Sequence, residues 1–252
     1  MGSSLVTGLI GAGWAAPEEL AVTDPDPAQR RRLAEAHPGL EVFDTPVAAD
    51  GALLAVKPDA AEGVLRTLSA VGITRVLSIV AGLSTARLET AFPSPGGVVV
   101  RAMPNTPSLI GAGVAGMSGG SAATTADLEW AEGILSSVGT VVRLPERQLD
   151  AVTGISGSGP AYVFLVAEAL IEAGVTAGLT RAVSRELVVG TVLGSARMMA
   201  ETGEDPAELR AAVTSPGGTT AAALRTLEFK AVRSAFIEAV AAATERSRQL
   251  GR

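Results

Sequence analysis

The stretch Gly11-Ala-Gly13-Trp-Ala-Ala-Pro17-Glu-Glu-Leu-Ala-Val-Thr-Asp24 decides how the first half of the chain folds. Its small residues have the spacing Gly-x-Gly-x-x-Gly/Ala that is typical of dinucleotide-binding loops. In such loops, the acidic residue that meets the adenosine ribose lies about 20 residues beyond the glycines, after a helix and a strand. Here Asp24 follows Gly13 by only 11 residues. Because Pro17 prevents a helix between them, the spacing argues against a phosphate loop at this position.

Counting back from Asp24 instead puts the last glycine of a dinucleotide fingerprint near residue 2, where Gly2 lies. We therefore predict that residues 11–16 are the end of the first helix and its exit turn. On this interpretation the sequence begins inside the phosphate loop, and the first strand and the first two glycines are missing. Gly2 and Ser3 are then predicted to lie at the cofactor.

The rest of the first half alternates between short apolar runs and helical patterns, which predicts a parallel, doubly wound α/β sheet. After residue 148 the strand signals disappear, and helical patterns continue to the end of the chain. We predict a Rossmann-like domain over residues 1–148 and an all-α domain over residues 149–252. The helical patterns near Leu170 and Leu187 are apolar on more than one face. Such helices must be buried, and a second subunit is the simplest partner.

Composition excludes several classes of function. Among 252 residues there is no cysteine and one histidine, His37, so thiolate chemistry, disulfides and cysteine-bound zinc are excluded, and no metal site is expected. A net charge of −6 and 3% aromatic residues argue against nucleic acids and anionic membranes. No Lys or Arg precedes the apolar residues 5–16, and no apolar run reaches the roughly 18 residues that cross a bilayer. We expect a cytoplasmic enzyme whose bound cofactor supplies the reactive chemistry.

The end of the predicted strand at Asp24 leaves the cofactor preference open. A carboxylate at this position suits the ribose diol of NADH, whereas Arg30, Arg31 and Arg32 could neutralise the 2′-phosphate of NADPH. The same three arginines are equally well explained as a solvated first turn of a helix.

Three further stretches have the composition of binding loops. Two of them, Ala55-Val56-Lys57-Pro58 and Met103-Pro104-Asn105-Thr-Pro107, follow predicted strands directly, where ligands bind in open α/β sheets. The third is Ser215-Pro-Gly217-Gly218-Thr219-Thr220, between two predicted helices. Its hydroxyls and the free N–H groups of the following helix can hold a carboxylate. Thr219 as an ordinary helix cap is the alternative, although the cluster exceeds what capping requires.

These stretches resemble the pyrroline-5-carboxylate reductase family from residue 1 to about residue 250. Further similarity lies in Ser156-Gly-Ser-Gly-Pro-Ala-Tyr162 and in Glu168-Ala-Leu170. The resemblance implies a Rossmann domain followed by a helical dimerisation domain, in homodimers that can assemble into rings. The sequence departs from the family at its start, where only Met1-Gly2-Ser3 matches the end of the glycine loop. This difference puts pyrophosphate binding in question.

The resemblance also implies roles for individual residues. The cofactor, NADPH or NADH, would contact Val56, Lys57 and Pro58, with the nicotinamide near Met103, Pro104 and Asn105. The substrate carboxylate would bind Ser215, Gly217, Gly218 and Thr219 in a loop supplied by the partner subunit. Thr220 would bind the ring nitrogen as the catalytic residue. The implied reaction reduces (S)-1-pyrroline-5-carboxylate to L-proline in the last step of proline biosynthesis.

Two other functions remain open on the sequence. One is a different two-domain reductase acting on an imine or a β-hydroxyacid, with Asp150 or Tyr162 as its acid. The other is a non-catalytic oligomeric paralogue that has lost its phosphate loop.

Overall fold

A computed structural model describes residues 2–251, which form two compact units. The first unit comprises the residues up to Ser158 together with those from Val240 onwards, and the second comprises Gly159–Ala239.

The strands all lie in the first unit, in two separate sheets. They are β1 (Ala21–Thr23), β2 (Glu41–Phe43), β3 (Ala52–Leu54), β4 (Arg75–Ser78), β5 (Val98–Met103), β6 (Gly113–Gly119) and β7 (Gly139–Arg143). β1 and β2 form a parallel pair, and the other five strands form a sheet in the order β3-β4-β5-β6-β7. Every pair of neighbours is parallel except β5 and β6.

Helices cover the sheets, and the described part of the second unit consists of helices joined by short turns. The first unit contains α1 (Gly2–Gly11), α2 (Pro27–Ala36), α3 (Pro58–Ala70), α4 (Thr85–Ala91), α5 (Thr125–Ser136) and α6 (Leu149–Val152), which continues into a π-helical turn (Thr153–Gly157). The following helices are α7 (Gly159–Thr176), α8 (Arg181–Thr202), α9 (Pro206–Ala212), α10 (Thr219–Phe229) and α11 (Val232–Leu250). The last residues of α11 belong to the first unit.

The prediction that residues 11–16 are the end of the first helix and its exit turn is confirmed. α1 ends at Gly11, Gly13 turns the chain with φ +67°, and Pro17 begins a short 3₁₀ turn that leads into β1. Residues 11–16 are therefore the exit turn of a helix. The buried side chains of Leu5 and Leu9 pack in one core with residues next to both sheets, Leu20 before β1 and Leu53 in β3.

The two sheets are separate because, within residues 2–251, no strand joins β1 to β3. β1 pairs with β2 on one edge, so a strand that preceded α1 could pair with β1 only on its other edge.

Two strands escape prediction from the sequence. β2 has only three residues, and β6 contains Gly113, Gly116 and Gly119, which weaken a strand pattern. Gly116 is required by close packing, because a Cβ there would lie 2.9 Å from the side chain of Val152 in α6. β6 also runs antiparallel to β5, so the predicted all-parallel sheet is wrong at this pair.

The boundary between the units lies ten residues beyond the predicted one at 148/149. α6 and the π-helical turn stay with the sheets because they pack against the end of α11. The Ser247 hydroxyl donates to Asp150 Oδ1 at 2.7 Å, and a Cβ on Gly154 would lie 2.9 Å from the Val240 carbonyl oxygen.

The second unit exposes much apolar surface. Phe164 and Leu165 in α7 and Leu187 and Leu193 in α8 are each more than half exposed. One continuous helical stretch, Glu146–Thr176, is long and apolar enough to cross a membrane by length and composition alone, with a mean hydropathy of 1.3. Only 6% of its apolar window is buried. An apolar surface of this extent indicates a contact that the single chain does not provide.

Candidate functional site

The N-terminus of α1 lies next to the end of β3 and to helix α2. A Cβ on Gly2 would lie 3.1 Å from the Ala55 Cβ, just after β3, so a larger residue would crowd this approach. On its other side, the Ser3 hydroxyl accepts a hydrogen bond from Gln29 Nε2 of α2 at 2.7 Å. The first N–H groups of a helix have no partner within it and attract anions. The first N–H groups of α1, at Gly2 and Ser3, could thus accept an anion such as a pyrophosphate.

The turn after β1 keeps a carboxylate oxygen available. Asp24 Oδ1 accepts the Asp26 N–H at 2.8 Å, and within the described chain Oδ2 has no hydrogen bond. Arg30 Nη1 donates to the carbonyl oxygens of Asp24 at 2.7 Å and Pro25 at 3.0 Å, so this guanidinium closes the turn. Arg31 and Arg32 are exposed. A ribose hydroxyl could therefore bind Asp24 without displacing any of these bonds.

The segment after β3 is extended and leads directly into a helix. Lys57 is exposed with φ −68° and ψ 151°, and Pro58 is the first residue of α3. Proline suits this position because the first helical residue needs no N–H donor. Val56 is half-buried beside this turn. The segment forms a short wall at the carboxyl end of the sheet, next to Gly2.

Asn105, after β5, uses its side chain inside the protein. It is 7% exposed; its Oδ1 accepts the Val114 N–H at 2.9 Å, and its Nδ2 donates to the Ser156 carbonyl at 3.0 Å. Neither atom is available to a cofactor. Pro104 is buried, whereas Met103 is half-buried with its Cε 3.9 Å from where a Cβ on Gly157 would lie. At this loop, Met103 and the main chain are the groups that can meet a nicotinamide.

An ion pair between a buried arginine of β5 and a half-buried glutamate was not found from the sequence. Glu146 accepts from Arg101 Nη1 at 3.2 Å and from both the N–H and the hydroxyl of Thr85 at 2.6 Å. Burial alone would raise the pKa of Glu146, but the Thr85 and Arg101 hydrogen bonds outweigh it and hold the pKa below its ordinary value. The three residues are 16 to 61 positions apart, and no local pattern links them.

In the second unit, residues 215–220 form a tight turn at the start of α10. The Gly218 N–H donates to the Ser215 carbonyl at 3.1 Å, and Gly217 has φ +71°, which favours glycine. A Cβ on Gly218 would lie 2.5 Å from the Ser215 hydroxyl. No side chain caps α10, so Thr219 is its first residue and not its cap. Within the described chain, the hydroxyls of Ser215, Thr219 and Thr220 have no hydrogen bonds, which leaves all three available to a ligand.

In the first unit, Gly2 lies next to Ala55 and Ser3 bonds to Gln29 of α2, whereas the predicted substrate loop lies in the second unit. Asp150, the acid considered for a different reductase, is partly buried and accepts the bond from Ser247. No cluster of metal-binding side chains occurs among residues 2–251.

Comparison with protein families gives a match to the model described as pyrroline-5-carboxylate reductase dimerisation, over residues 146–250. This domain begins three residues before the predicted helical domain. Among curated proteins, the chain is 44% identical to a pyrroline-5-carboxylate reductase from Synechocystis, covering all of this chain and 95% of the relative.

Solved structures agree with this match. A pyrroline-5-carboxylate reductase from Coxiella burnetii has a TM-score of 0.90 at 36% identity, covering 99% of this chain and 94% of that one. The Plasmodium falciparum pyrroline carboxylate reductase with NADP bound has a TM-score of 0.89 at 32% identity, covering 100% and 95%. The predicted fold class, a Rossmann-like domain followed by a helical dimerisation domain, is confirmed. The chain therefore belongs to the pyrroline-5-carboxylate reductase family.

Proposed function

We propose that this protein is an NAD(P)H-dependent reductase that converts (S)-1-pyrroline-5-carboxylate to L-proline, the last step of proline biosynthesis. The turn at residues 215–220 carries the proposal. It combines three hydroxyls that have no partner in the described chain with the uncapped start of α10. A substrate that is both an anion and a small cyclic imine matches these groups.

The turn would hold the substrate carboxylate through its main-chain N–H groups and hydroxyls. Free N–H groups at a helix start favour negative charge, and a small anion can approach closely where glycines remove side chains. Ser215, Gly217, Gly218 and Thr219 would form this cradle. The Thr220 hydroxyl would bind the ring nitrogen and fix which face of the imine is presented.

The protein then needs no strong acid. A bound nicotinamide would supply a hydride to the imine carbon of the substrate, which is C2 of the pyrroline ring and becomes C5 of proline. The protonated C=N bond would accept the electron pair and become a C–N single bond. The nitrogen keeps its proton, so the role of the chain is orientation and exclusion of water. A sequence with one histidine and no cysteine suits such a reaction.

The first unit would bind the cofactor, and its residues fit this group. A pyrophosphate suits the start of α1, where the N–H groups are free and Gly2 has no side chain that would crowd against Ala55. The free oxygen of Asp24 suits a ribose. The carboxyl end of the sheet beside Gly2 is lined by Ser3, Val56, Lys57 and Pro58. Met103 and Pro104 would contact the nicotinamide, together with the main chain of Asn105.

We further propose that two chains associate through their helical domains, with rings of dimers as the larger assembly. The exposed leucine and phenylalanine side chains of α7 and α8 would be covered by the partner. Glu168 and Glu172 lie within the apolar helical stretch, where carboxylates are costly in lipid but tolerable at a protein interface. We therefore expect a cytoplasmic homo-oligomer that binds neither membranes nor nucleic acids.

A direct assay tests the proposed activity. The purified protein is mixed with pyrroline-5-carboxylate and either NADPH or NADH, and both cofactor oxidation and L-proline are measured. One proline per cofactor oxidised is expected. A protein that dimerises but forms no proline would instead be the non-catalytic paralogue. Oxidation of the cofactor only with the carbonyl precursor of a β-hydroxyacid would favour a different reductase.

A further inference from the structure

Asn105 connects two sequence motifs that are 51 residues apart. Asparagine is a favoured helix cap, and Asn105 directly precedes the short 3₁₀ helix Thr106–Ile110, yet its side chain does not cap that helix. It reaches instead to Val114 in β6 and to Ser156 in the π-helical turn. With 7% of its surface exposed, the side-chain amide is buried, and both of its polar atoms have partners.

The bond to Val114 extends the sheet. In the β5–β6 pair, Met103 lies opposite Gly116, and the same register continued by two residues puts Asn105 opposite Val114. The Asn105 side-chain oxygen accepts the Val114 N–H at this point, where the main-chain ladder has ended. The start of the 103–107 loop is thereby held in the register of the sheet.

The bond to Ser156 replaces a donor that the helix lacks. In an α-helix the carbonyl of residue 156 would accept the N–H of residue 160, but residue 160 is proline and has no N–H. Asn105 Nδ2 donates to this carbonyl at 3.0 Å. π-Helical turns of this kind are frequent at functional sites. Gly157, which belongs to this π-helical turn, lies close to Met103.

We propose that Asn105 is a positioning residue for hydride transfer. Its side chain locks the loop at Met103 to the π-helical turn through the Ser156 carbonyl, to which Pro160 cannot donate. The proposal rests on the proposed function. Asn105 touches neither substrate nor cofactor through its side chain. It acts by fixing Met103 and the main chain against which the nicotinamide would lie.

The variant Asn105→Asp tests this role, because the carboxylate can still accept the Val114 N–H but cannot donate to Ser156. We expect kcat to fall about 10- to 100-fold, with the KM for pyrroline-5-carboxylate within about threefold of wild type. The deuterium isotope effect on kcat, measured with cofactor labelled at C4, should rise because hydride transfer becomes more rate-limiting. Gln249→Glu makes the same amide-to-carboxylate change at an exposed position of α11 and should leave all three values unchanged.

A second substitution isolates the link to Pro160. Pro160→Ala gives position 160 an N–H that can donate to the Ser156 carbonyl. Asn105→Ala should therefore lower kcat by a smaller factor in the Pro160→Ala background than in wild type. An equal loss in both backgrounds would overturn the proposal, as would an unchanged kcat or isotope effect in Asn105→Asp.

Residue-resolved amide hydrogen exchange separates this proposal from the proposed function, since it needs no substrate. The Val114 amide should exchange about 10- to 100-fold faster in Asn105→Ala and remain protected in Asn105→Asp. If wild type forms no proline while these exchange rates behave as expected, the proposed function fails but the contact holds. Unchanged exchange in Asn105→Ala would refute the contact itself.

Discussion

Replacing Thr220 by valine separates substrate orientation from folding. Thr220 is the second residue of α10, is half-buried, and its hydroxyl has no hydrogen bond within the described chain. Valine has the same shape and the same branching at Cβ, so the free energy of unfolding should change by less than about 0.5 kcal/mol. A hydrogen bond to the ring nitrogen, which is charged in the protonated imine, is worth about 1.5–3 kcal/mol. Its loss should lower kcat/KM by about 10- to 150-fold.

The assay compares kcat/KM for pyrroline-5-carboxylate and the dissociation constant for the cofactor in three variants. Thr220→Ser keeps the hydroxyl and should retain most of the activity. Thr226→Val removes a hydroxyl from the same helix, where it donates to the Ala222 carbonyl, and should behave like wild type. Cofactor affinity should be unchanged throughout. Equal kcat/KM in Thr220→Val and wild type would refute the role of Thr220.

The remaining predictions concern stability, cofactor choice and assembly. Glu146→Gln should lower the free energy of unfolding by about 1–3 kcal/mol at neutral pH, measured by urea denaturation, because Arg101 loses its charged partner. The folded-state pKa of Glu146 is lowered, so its contribution is complete above the ordinary value of 4.5 and disappears as the pH falls through the folded pKa. Asp24→Asn should raise the ratio of kcat/KM for NADPH over that for NADH by about tenfold, since a carboxylate repels the 2′-phosphate. Leu187→Glu should halve the mass measured by light scattering, because it places a charge on the apolar surface of α8.

Each of these predictions has a contradicting result. A stability difference for Glu146→Gln that does not shrink in acid would mean that its carboxylate is not the stabilising group. An unchanged cofactor ratio in Asp24→Asn would remove this residue from the ribose site. For assembly, Glu201→Gln alters an exposed charge at the end of the same helix and serves as the control. A Leu187→Glu protein with the mass of wild type would place the interface elsewhere.

The sequence was sufficient for features that depend on local spacing. The distance from Gly13 to Asp24 predicted that α1 occupies the start of the chain. The helical patterns in the sequence predicted helices over Pro27–Ala36 and Thr85–Ala91, and α2 and α4 have these bounds. The sequence was insufficient where packing decides: β6 has glycine at position 116 because Val152 of α6 lies against it. Gly174 looks like the end of a helix but lies inside α7, close against Ser184.

The candidate site shows the same division. The motif loops were found because they follow strands or precede a helix, which is a local property. The partners of Asn105 and Glu146 are distant in sequence, and only the folded chain shows that these side chains are used inside the protein. The resemblance to the family had placed Asn105 near the nicotinamide, but it gave no sign of the internal partners of the side-chain amide.

Transfer of a labelled hydride tests the central claim most directly. Wild-type protein is supplied with pyrroline-5-carboxylate and NADPH or NADH carrying deuterium at the transferable C4 position, and the proline formed is analysed by mass spectrometry. We predict one deuterium per proline, bound to C5. Proline without deuterium, or deuterium at another carbon, would contradict direct reduction of the ring C=N bond.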